Sequence, residues 1–538
     1  MKEDHPISSA EREAAREIAE YLLNHPNVTR REIERLKAKI SKKFHVCNII
    51  KNATVLAACN TQENQEIFRL LRRKRTRTLS GVSVIAVMTK PLDCPGKCIY
   101  CPGKNSQPGE AVAKSYTGQE PAARRSLMFN YDSRKQVASR IEDLEAIGHR
   151  MDKLEIICMG GTLCAAPVVY QEEFVRGCYE GFLNREVESL QEAKQLAETS
   201  ERHLVGITFE TRPDYCQEEH VNRMLEFGGT RVEIGVQTVF DDVYQRINRG
   251  HTTKETIRAF QVARDAGLKI NAHMMPNLPG ATLERDREMF TRLFENPAYR
   301  PDMLKIYPTL VIEGTQLYDQ FIARDYKPYE LEEMVKLIAG IKQKLPPYVR
   351  IQRVQRDIPA KLIVAGVKKS NLRELVQAYL KSTGEGCKCI RCREEGFMKP
   401  RQLDAEDLVL HRMDYEASEG REIFLSFETL VKDVLVGYVR LRIPSPREFR
   451  PELLPTPVPI VRELRVVGEL VRTHEKPTLD QVQHRGFGTR LLQEVEKIAR
   501  EEFDAQKIAV ISGIGVRQYF YQRGYYLDGV YVSKNLPH

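Results

Sequence analysis

The residues Cys94-Pro-Gly-Lys-Cys98-Ile-Tyr-Cys101 set three thiols close together on a glycine-containing loop. Three thiolates leave one iron of a four-iron cluster open, and an open iron can chelate a ligand. A structural zinc ion would call for a fourth protein ligand, and none lies nearby in the sequence. Cys387, Cys389 and Cys392 form a second tight group, which also reads as a metal site. Cys47, Cys59, Cys158, Cys164, Cys178 and Cys216 are scattered through apolar or helical contexts and read as small buried hydrophobes. Met159-Gly160-Gly161-Thr162 ends a strand with residues small enough for backbone amides to approach a ligand. Glu210 and Arg212 in ETRPD place a carboxylate and a guanidinium at another strand end, suited to ribose and carboxylate groups or to an ordinary salt bridge. Gln483-His484-Arg485-Gly486-Phe487-Gly488-Thr489 opens a helix, where free N–H groups and the positive dipole end suit a pyrophosphate. A helix-packing glycine turn is the alternative there.

These groups need elements to hold them. A chain of 538 residues exceeds what one core organises, so several domains are expected. With 42% hydrophobic and 29% charged residues, disordered, collagen-like and disulfide-scaffold classes are excluded. No apolar run approaches the ~20 residues that cross a bilayer, and the acidic start does not suit a signal peptide, so a cytosolic protein is expected. Residues 1–80 read as basic helices, with a capping box at Thr29 and Glu32; they hold 17 basic and 10 acidic side chains, most of the net +9. Their densest stretch, Arg69, Arg72, Arg73, Lys74, Arg75 and Arg77, points to a polyanion, with RNA first and a solvated helix end second. Over 81–365, SVIAVMT, LEIICMGG, LVGITFET, RVEIGVQTV, LKINAHMMP, MLKIYPTLV and YVRIQRV alternate with amphipathic stretches. That order predicts a partial parallel (β/α) TIM-like barrel whose function lies at the C-terminal ends of its strands. Residues 366–400 read as a Lys, Gly and Cys-rich linker, and 401–538 as an α+β domain of acyl-transferase type.

Cys-x3-Cys-x2-Cys with Tyr100 before the third cysteine, after the first barrel strand, resembles the radical S-adenosylmethionine superfamily, and MGGT resembles its methionine-binding turn. The glycine turn between Glu463–Val467 and a tyrosine-rich helix resembles the acetyl-CoA site of GNAT-type acetyltransferases. Both domains in this order, with RTLSGVSVIAVMTKP, FETRPD, RVEIGVQTVFDDVYQRINRGHT, AHMMPNLPG, LKIYPTLVIEGT, IQRVQRDIP, CKCIRCREEG, QHRGFGTRLL, KIAVISGIGVRQY and GYYLDGVYVSK, resemble the family of the Elongator catalytic subunit over about residues 70–538.

That resemblance implies a tRNA carboxymethyluridine synthase acting on C5 of the anticodon wobble uridine. It implies that Cys94, Cys98 and Cys101 hold a 4Fe–4S cluster and that S-adenosylmethionine binds its open iron, with Gly160, Gly161, Thr162, Glu210 and Arg212 around it. A 5′-deoxyadenosyl radical would take hydrogen from the acetyl methyl of acetyl-CoA, and the carbon radical would add to uridine. Lys153, Glu463, Leu464, Arg465, Val466, Phe487, Gly488, Thr489, Tyr519 and Phe520 match acetyl-CoA contacts, with Lys153 and Tyr519 as catalytic candidates. Cys387, Cys389 and Cys392 match a linker zinc site, for which His411 is a guess at the fourth ligand. Arg72, Arg73, Lys74, Arg75 and Arg77 would grip the tRNA anticodon stem-loop, and partners of the Elongator kind or a second copy remain open. Two departures stand out: Phe520 occupies a usual tyrosine position, and the gap between Cys94 and Cys98 is short. The main rival is a protein lysine acetyltransferase with a structural cluster and Glu428 or Glu463 as base. A non-catalytic tRNA-binding scaffold is the third reading.

Overall fold

The computed structural model describes residues 8–46, 49–50, 52–58, 67, 71, 81–102, 112–146, 149, 151–394, 408–430, 434–467 and 486–537. Two compact units emerge, Met1–Ser83 with Ala138–Lys153, and Val84–Val137 with Leu154–His538. No helix among the described residues is long and apolar enough to cross a membrane.

The first unit is helical, as its sequence predicts. Helix α1 (Ser9–Asn24) starts at a Ser8–Glu11 capping box and buries Ala14, Ala15, Ile18, Ala19 and Leu22, one face at helical spacing. Helix α2 (Arg30–Lys43) starts at the expected Thr29–Glu32 box, where the Thr29 N–H donates to Glu32 at 2.7 Å. Its Lys37 ammonium is buried but satisfied by Asn52 at 2.8 Å, at the head of α3 (Asn52–Ala57). Arg69, Arg72, Arg73, Lys74, Arg75, Arg77, Cys47 and Cys59 lie outside the described residues.

All seven predicted barrel strands form. They are β1 (Ser83–Met88), β2 (Lys153–Met159), β3 (His203–Thr211), β4 (Gly229–Gln237), β5 (Lys269–Met274), β6 (Met303–Ile306) and β8 (Arg350–Val354), adjacent in that order in one sheet. The pairings from β3 to β8 are all parallel. β4 is buried along nearly its whole length, as a strand covered on both faces must be. The run MLKIYPTLV does not continue as one strand. Pro308 lacks the N–H a ladder needs, so β6 stops at Ile306 and a short β7 (Val311–Ile312) pairs instead with β9 (Ile363–Ala365). The stretch read as a linker contains a helix, Leu372–Ser382, whose buried Leu372, Val376 and Leu380 recur every fourth residue.

The second sheet runs in the order β10 (Leu408–Ala417), β11 (Gly420–Thr429), β12 (Leu435–Ile443), β13 (Ile460–Val466), β14 (Lys507–Val510), β16 (Tyr531–Asn535) and β15 (Tyr526–Asp528). Helix α4 (Phe487–Phe503) covers it with Phe487, Leu491, Leu492, Val495, Ile498 and Ala499. β13 and β14 pair only at Ile460–Ala509 and Val461–Val510. β14 ends there while β13 runs on, and among the described residues no strand pairs with the second edge of Arg462–Val466.

This sheet docks on the N-terminal ends of the barrel strands through buried charge. Arg462 donates to Asp302 at 2.5 Å and to the Leu268 carbonyl at 2.9 Å, just before β6 and β5. Arg440 donates to the Tyr348 carbonyl at 2.7 Å, just before β8. Arg442 donates to Asp265 at 2.8 Å. These three arginines and Arg264 are fully buried, and Arg462, Arg440 and Arg264 hold Asp302 ionised far below the usual carboxylate range despite its own burial.

Candidate active site

The cysteine loop follows β1. Ile99 anchors it, donating its N–H to Ile247 O at 3.1 Å and accepting from the Leu317 N–H at 3.0 Å. Gly96 is required there, because a Cβ would collide with the Arg212 guanidinium. Arg249 donates to Cys98 Sγ at 3.4 Å. Burial opposes ionisation of Cys98, but Arg249 and Arg212 outweigh it and lower the thiol's pKa. Cys101 lies 3.1 Å from Ser115 Oγ, and burial together with Cys98 pushes it up to about 11.

The MGGT turn comes to the same loop, with Cys94 Sγ and Thr162 Oγ1 3.8 Å apart. Gly160 and Gly161 have φ of 110° and 67°, a conformation that favours glycine. Gly161 faces open space, whereas a Cβ at Gly160 would lie 2.8 Å from Thr89 Oγ1. Arg212 is already engaged with Asp214 at 2.9 and 2.8 Å and with the Arg249 carbonyl at 3.0 Å, but its buried Nη1 has no partner among the described residues. Glu210 accepts from the Tyr116 hydroxyl at 2.9 Å and lies 3.5 Å from Lys305.

Behind Glu210 the barrel interior is polar. Glu233 is fully buried, paired with Lys305 and bonded to His273 at 3.0 Å and Asn271 at 3.1 Å. Arg231 pairs with Glu155 at 2.5 Å. Glu210, Glu233 and His273 converge closely enough to hold a cation, and the Lys305 ammonium takes that part. The motif reading missed this lumen and Arg249. Its signal was available as polar residues at alternate positions of strands otherwise buried, Arg231 and Glu233 on β4 and Lys269, Asn271 and His273 on β5.

Of the turn Gln483–Thr489, residues 483–485 lie outside the described residues. Gly486 caps α4 with φ 83°. A Cβ at Gly488 would sit 3.1 Å from the Tyr519 hydroxyl, so glycine keeps that approach open. Arg523 lies 3.7 Å over the Tyr519 ring and donates to Thr489 Oγ1 at 3.1 Å. Phe487 is buried in the core. Phe520 is also buried there, edge-on to Tyr519 and Tyr525, so the hydroxyl missing at this position leaves an apolar contact in place. Glu463 accepts from Tyr438 at 2.9 Å and Arg440 at 3.0 Å; burial raises its pKa, but Arg440, Lys269 and Arg465 overcome that and lower it. Leu464, Arg465 and Val466 follow along the unpaired edge of β13. Lys153 begins β2.

The thiols of Cys387, Cys389 and Cys392 lie within 4.8 Å of one another. Lys342 donates to Cys392 Sγ at 3.6 Å, and the neighbouring thiols with Lys342 lower the pKa of Cys389. His411 does not share this group; it lies exposed on β10, opposite Ser426, and acts on Glu428, the partner of Arg393.

Comparison with known proteins agrees with this architecture. The radical SAM superfamily model matches residues 91–293, its C-terminal domain 301–382, and the ELP3 N-terminal domain 11–79. The tRNA uridine(34) acetyltransferase of Methanocaldococcus jannaschii is 46% identical, covering 94% of both chains. Elongator complex protein 3 of Schizosaccharomyces pombe is 44% identical, covering 93% of both.

The chain belongs to the Elongator complex protein 3 family.

A solved structure of the family, the Methanocaldococcus infernus protein with an N-terminal deletion, superposes with a TM-score of 0.76 at 44% identity, covering 85% of this chain and 100% of that one. The family's radical SAM domain implies a 4Fe–4S cluster and S-adenosylmethionine. The residues present fit both. Three thiols share a loop with a guanidinium at one of them, an unpartnered buried N–H of Arg212 lies beside it, and the turn at Gly161 is open.

Proposed function

We propose that this protein modifies the wobble uridine of tRNA, using acetyl-CoA and S-adenosylmethionine to install a carboxymethyl group at C5. The observation that carries the reading is the pairing, in one compact unit, of a three-cysteine loop at one end of the barrel lumen with the β13 edge beyond Val461 and a glycine turn at the other. The names of the relatives, tRNA uridine(34) acetyltransferase and Elongator complex protein 3, support the substrate. When bound, the cluster and S-adenosylmethionine would supply a carbon radical, the reagent that a weakly nucleophilic pyrimidine C5 needs.

Cys94, Cys98 and Cys101 would hold the cluster, and Arg249 would balance the charge on Cys98. Gly160, Gly161, Thr162, Glu210 and Arg212 would orient S-adenosylmethionine. On the second sheet, the free backbone of Glu463–Val466 would bond the amides of the acyl carrier, and the N–H groups at Phe487–Thr489 its pyrophosphate. Tyr519, held by Arg523, would stand over that turn as the catalytic tyrosine, with Lys153 as the second catalytic group and acetyl-CoA contact. Phe520 would act only through packing. Arg72, Arg73, Lys74, Arg75 and Arg77 would contact phosphates of the anticodon stem-loop. Cys387, Cys389 and Cys392 would hold zinc, a second metal site beside the cluster.

No observation favours the lysine acetyltransferase reading. A base must be free to take a proton. Glu463 is committed to Arg440 and Tyr438, and Glu428 is committed to Arg393 at 2.6 Å and Ser426 at 2.7 Å, with its pKa lowered against burial.

Anaerobic reconstitution with tRNA, acetyl-CoA, S-adenosylmethionine and a reductant tests the proposal. Nucleoside mass spectrometry should show carboxymethyluridine at the wobble position together with 5′-deoxyadenosine. Acetylated peptide without nucleoside modification would reject it.

A further inference from the structure

We infer that Lys269 is a self-acetylation site, its amine accepting the acyl group of a thioester held along β13. The inference rests on the acetyl-CoA reading above and adds an acceptor to it.

The direction of the donor follows from the turn. A Cβ at Gly488 would lie 3.6 Å from Val466, so the phosphate-binding end of the site adjoins the Val466 end of β13. Glu463 stands three residues away, about 10 Å along an extended strand. A carrier with its pyrophosphate on α4 therefore runs its acyl end toward Glu463. β13 is fastened at that end to the start of β5, where Arg462 donates to the Leu268 carbonyl at 2.9 Å.

Lys269 is the next residue. It begins β5 and shares a face with Asn271 and His273, whose side chains reach Glu233 inside the lumen. The other cations of this interior are spoken for, Lys305 by Glu233 and Arg231 by Glu155. Among the described residues no hydrogen bond or ion pair holds the Lys269 ammonium; Glu463, Arg231, Glu155 and Arg462 act on it only through their charge. Burial outweighs the pull of Glu463 and, with Arg231, brings its pKa down to about 8, so a useful fraction is a free amine near neutral pH.

The reaction balances without an oxidant. The amine lone pair attacks the thioester carbonyl carbon, the C–N bond forms and the C–S bond breaks. Coenzyme A leaves as thiolate and takes up the proton lost by nitrogen. The product amide is neutral, so Glu463 and Glu155 lose a cationic neighbour.

The full-length protein, incubated with trideuteroacetyl-CoA and digested, should gain label at Lys269 at least about tenfold faster than at the exposed Lys254, as expected of an acceptor held beside its donor. Gly488→Val, which crowds Tyr519, should slow labelling at Lys269 by a similar factor and leave Lys254 unchanged. Calorimetric binding of acetyl-CoA, measured alongside, separates the two readings. Binding without preferential label at Lys269, or label at Lys269 that ignores Gly488→Val, overturns self-acetylation and leaves the proposed function standing. Absence of acetyl-CoA binding overturns both. Because Lys269→Arg keeps the positive charge, it should remove the label without the loss of fold that an uncharged residue would risk.

Discussion

The two cysteine trios make a controlled comparison within one chain. Cys387, Cys389 and Cys392 converge within 4.8 Å, while Cys94, Cys98 and Cys101 do not form such a group among the described residues. A single zinc ion with bonds of about 2.3 Å draws its thiolates to within about 4 Å of one another. A multi-iron cluster spreads them over its corners. The surroundings differ in the same sense. A guanidinium and a glycine turn flank the open trio, whereas the closed one lies beside Lys342, with Cys389 capping the short helix Ile390–Arg393 and Cys392 within it. Thiol number is therefore a poor guide to metal chemistry, and the spread of the sulfurs with what faces them is a better one.

Substitution can break that comparison at several strengths. Cys98→Ala should abolish the iron–sulfur absorbance and lower uridine modification by at least about a hundredfold, leaving the metal content of the other trio intact. Cys389→Ser should do the reverse: elemental analysis should show its metal lost and thermal unfolding several degrees lower, with the iron–sulfur spectrum kept. Arg249→Met should be intermediate. Loss of a charge-assisted hydrogen bond of about 1.5–3 kcal/mol should lower cluster retention under a chelator, by roughly tenfold or more, and Arg249→Lys should restore part of it. His411→Ala should change neither metal, because its side chain is exposed and apart from both trios. If it released metal from the closed trio, the placement of His411 would be wrong.

Much of this was legible beforehand, for identifiable reasons. The barrel strands show because fully buried parallel strands read as unbroken β-branched runs, and MGGT shows because only glycine tolerates its backbone. The break at Pro308 was visible as a residue, but its effect depended on β9 offering Val311 and Ile312 another partner. The helix Leu372–Ser382 was hidden by the lysines and cysteines around it, although its four-residue apolar spacing was present. Arg249 and Lys305 escaped notice because a charged residue within a buried strand or loop announces no partner until the chain has folded. The placement of the second sheet at the N-terminal ends of the strands was also illegible, since it depends on pairs such as Arg462–Asp302, 160 residues apart.

Those buried pairs also govern how the protein can be divided. Severing the chain between the last barrel residues and β10 would take Asp302 and Asp265 away from Arg440, Arg442 and Arg462, leave them only Glu463 and Glu422 of their own sheet, and expose to water guanidinium groups that are buried in the whole chain. An excised transferase fragment would thus be a poor stand-in for the intact enzyme, and transplanting it onto another barrel would require carrying the matching aspartates along.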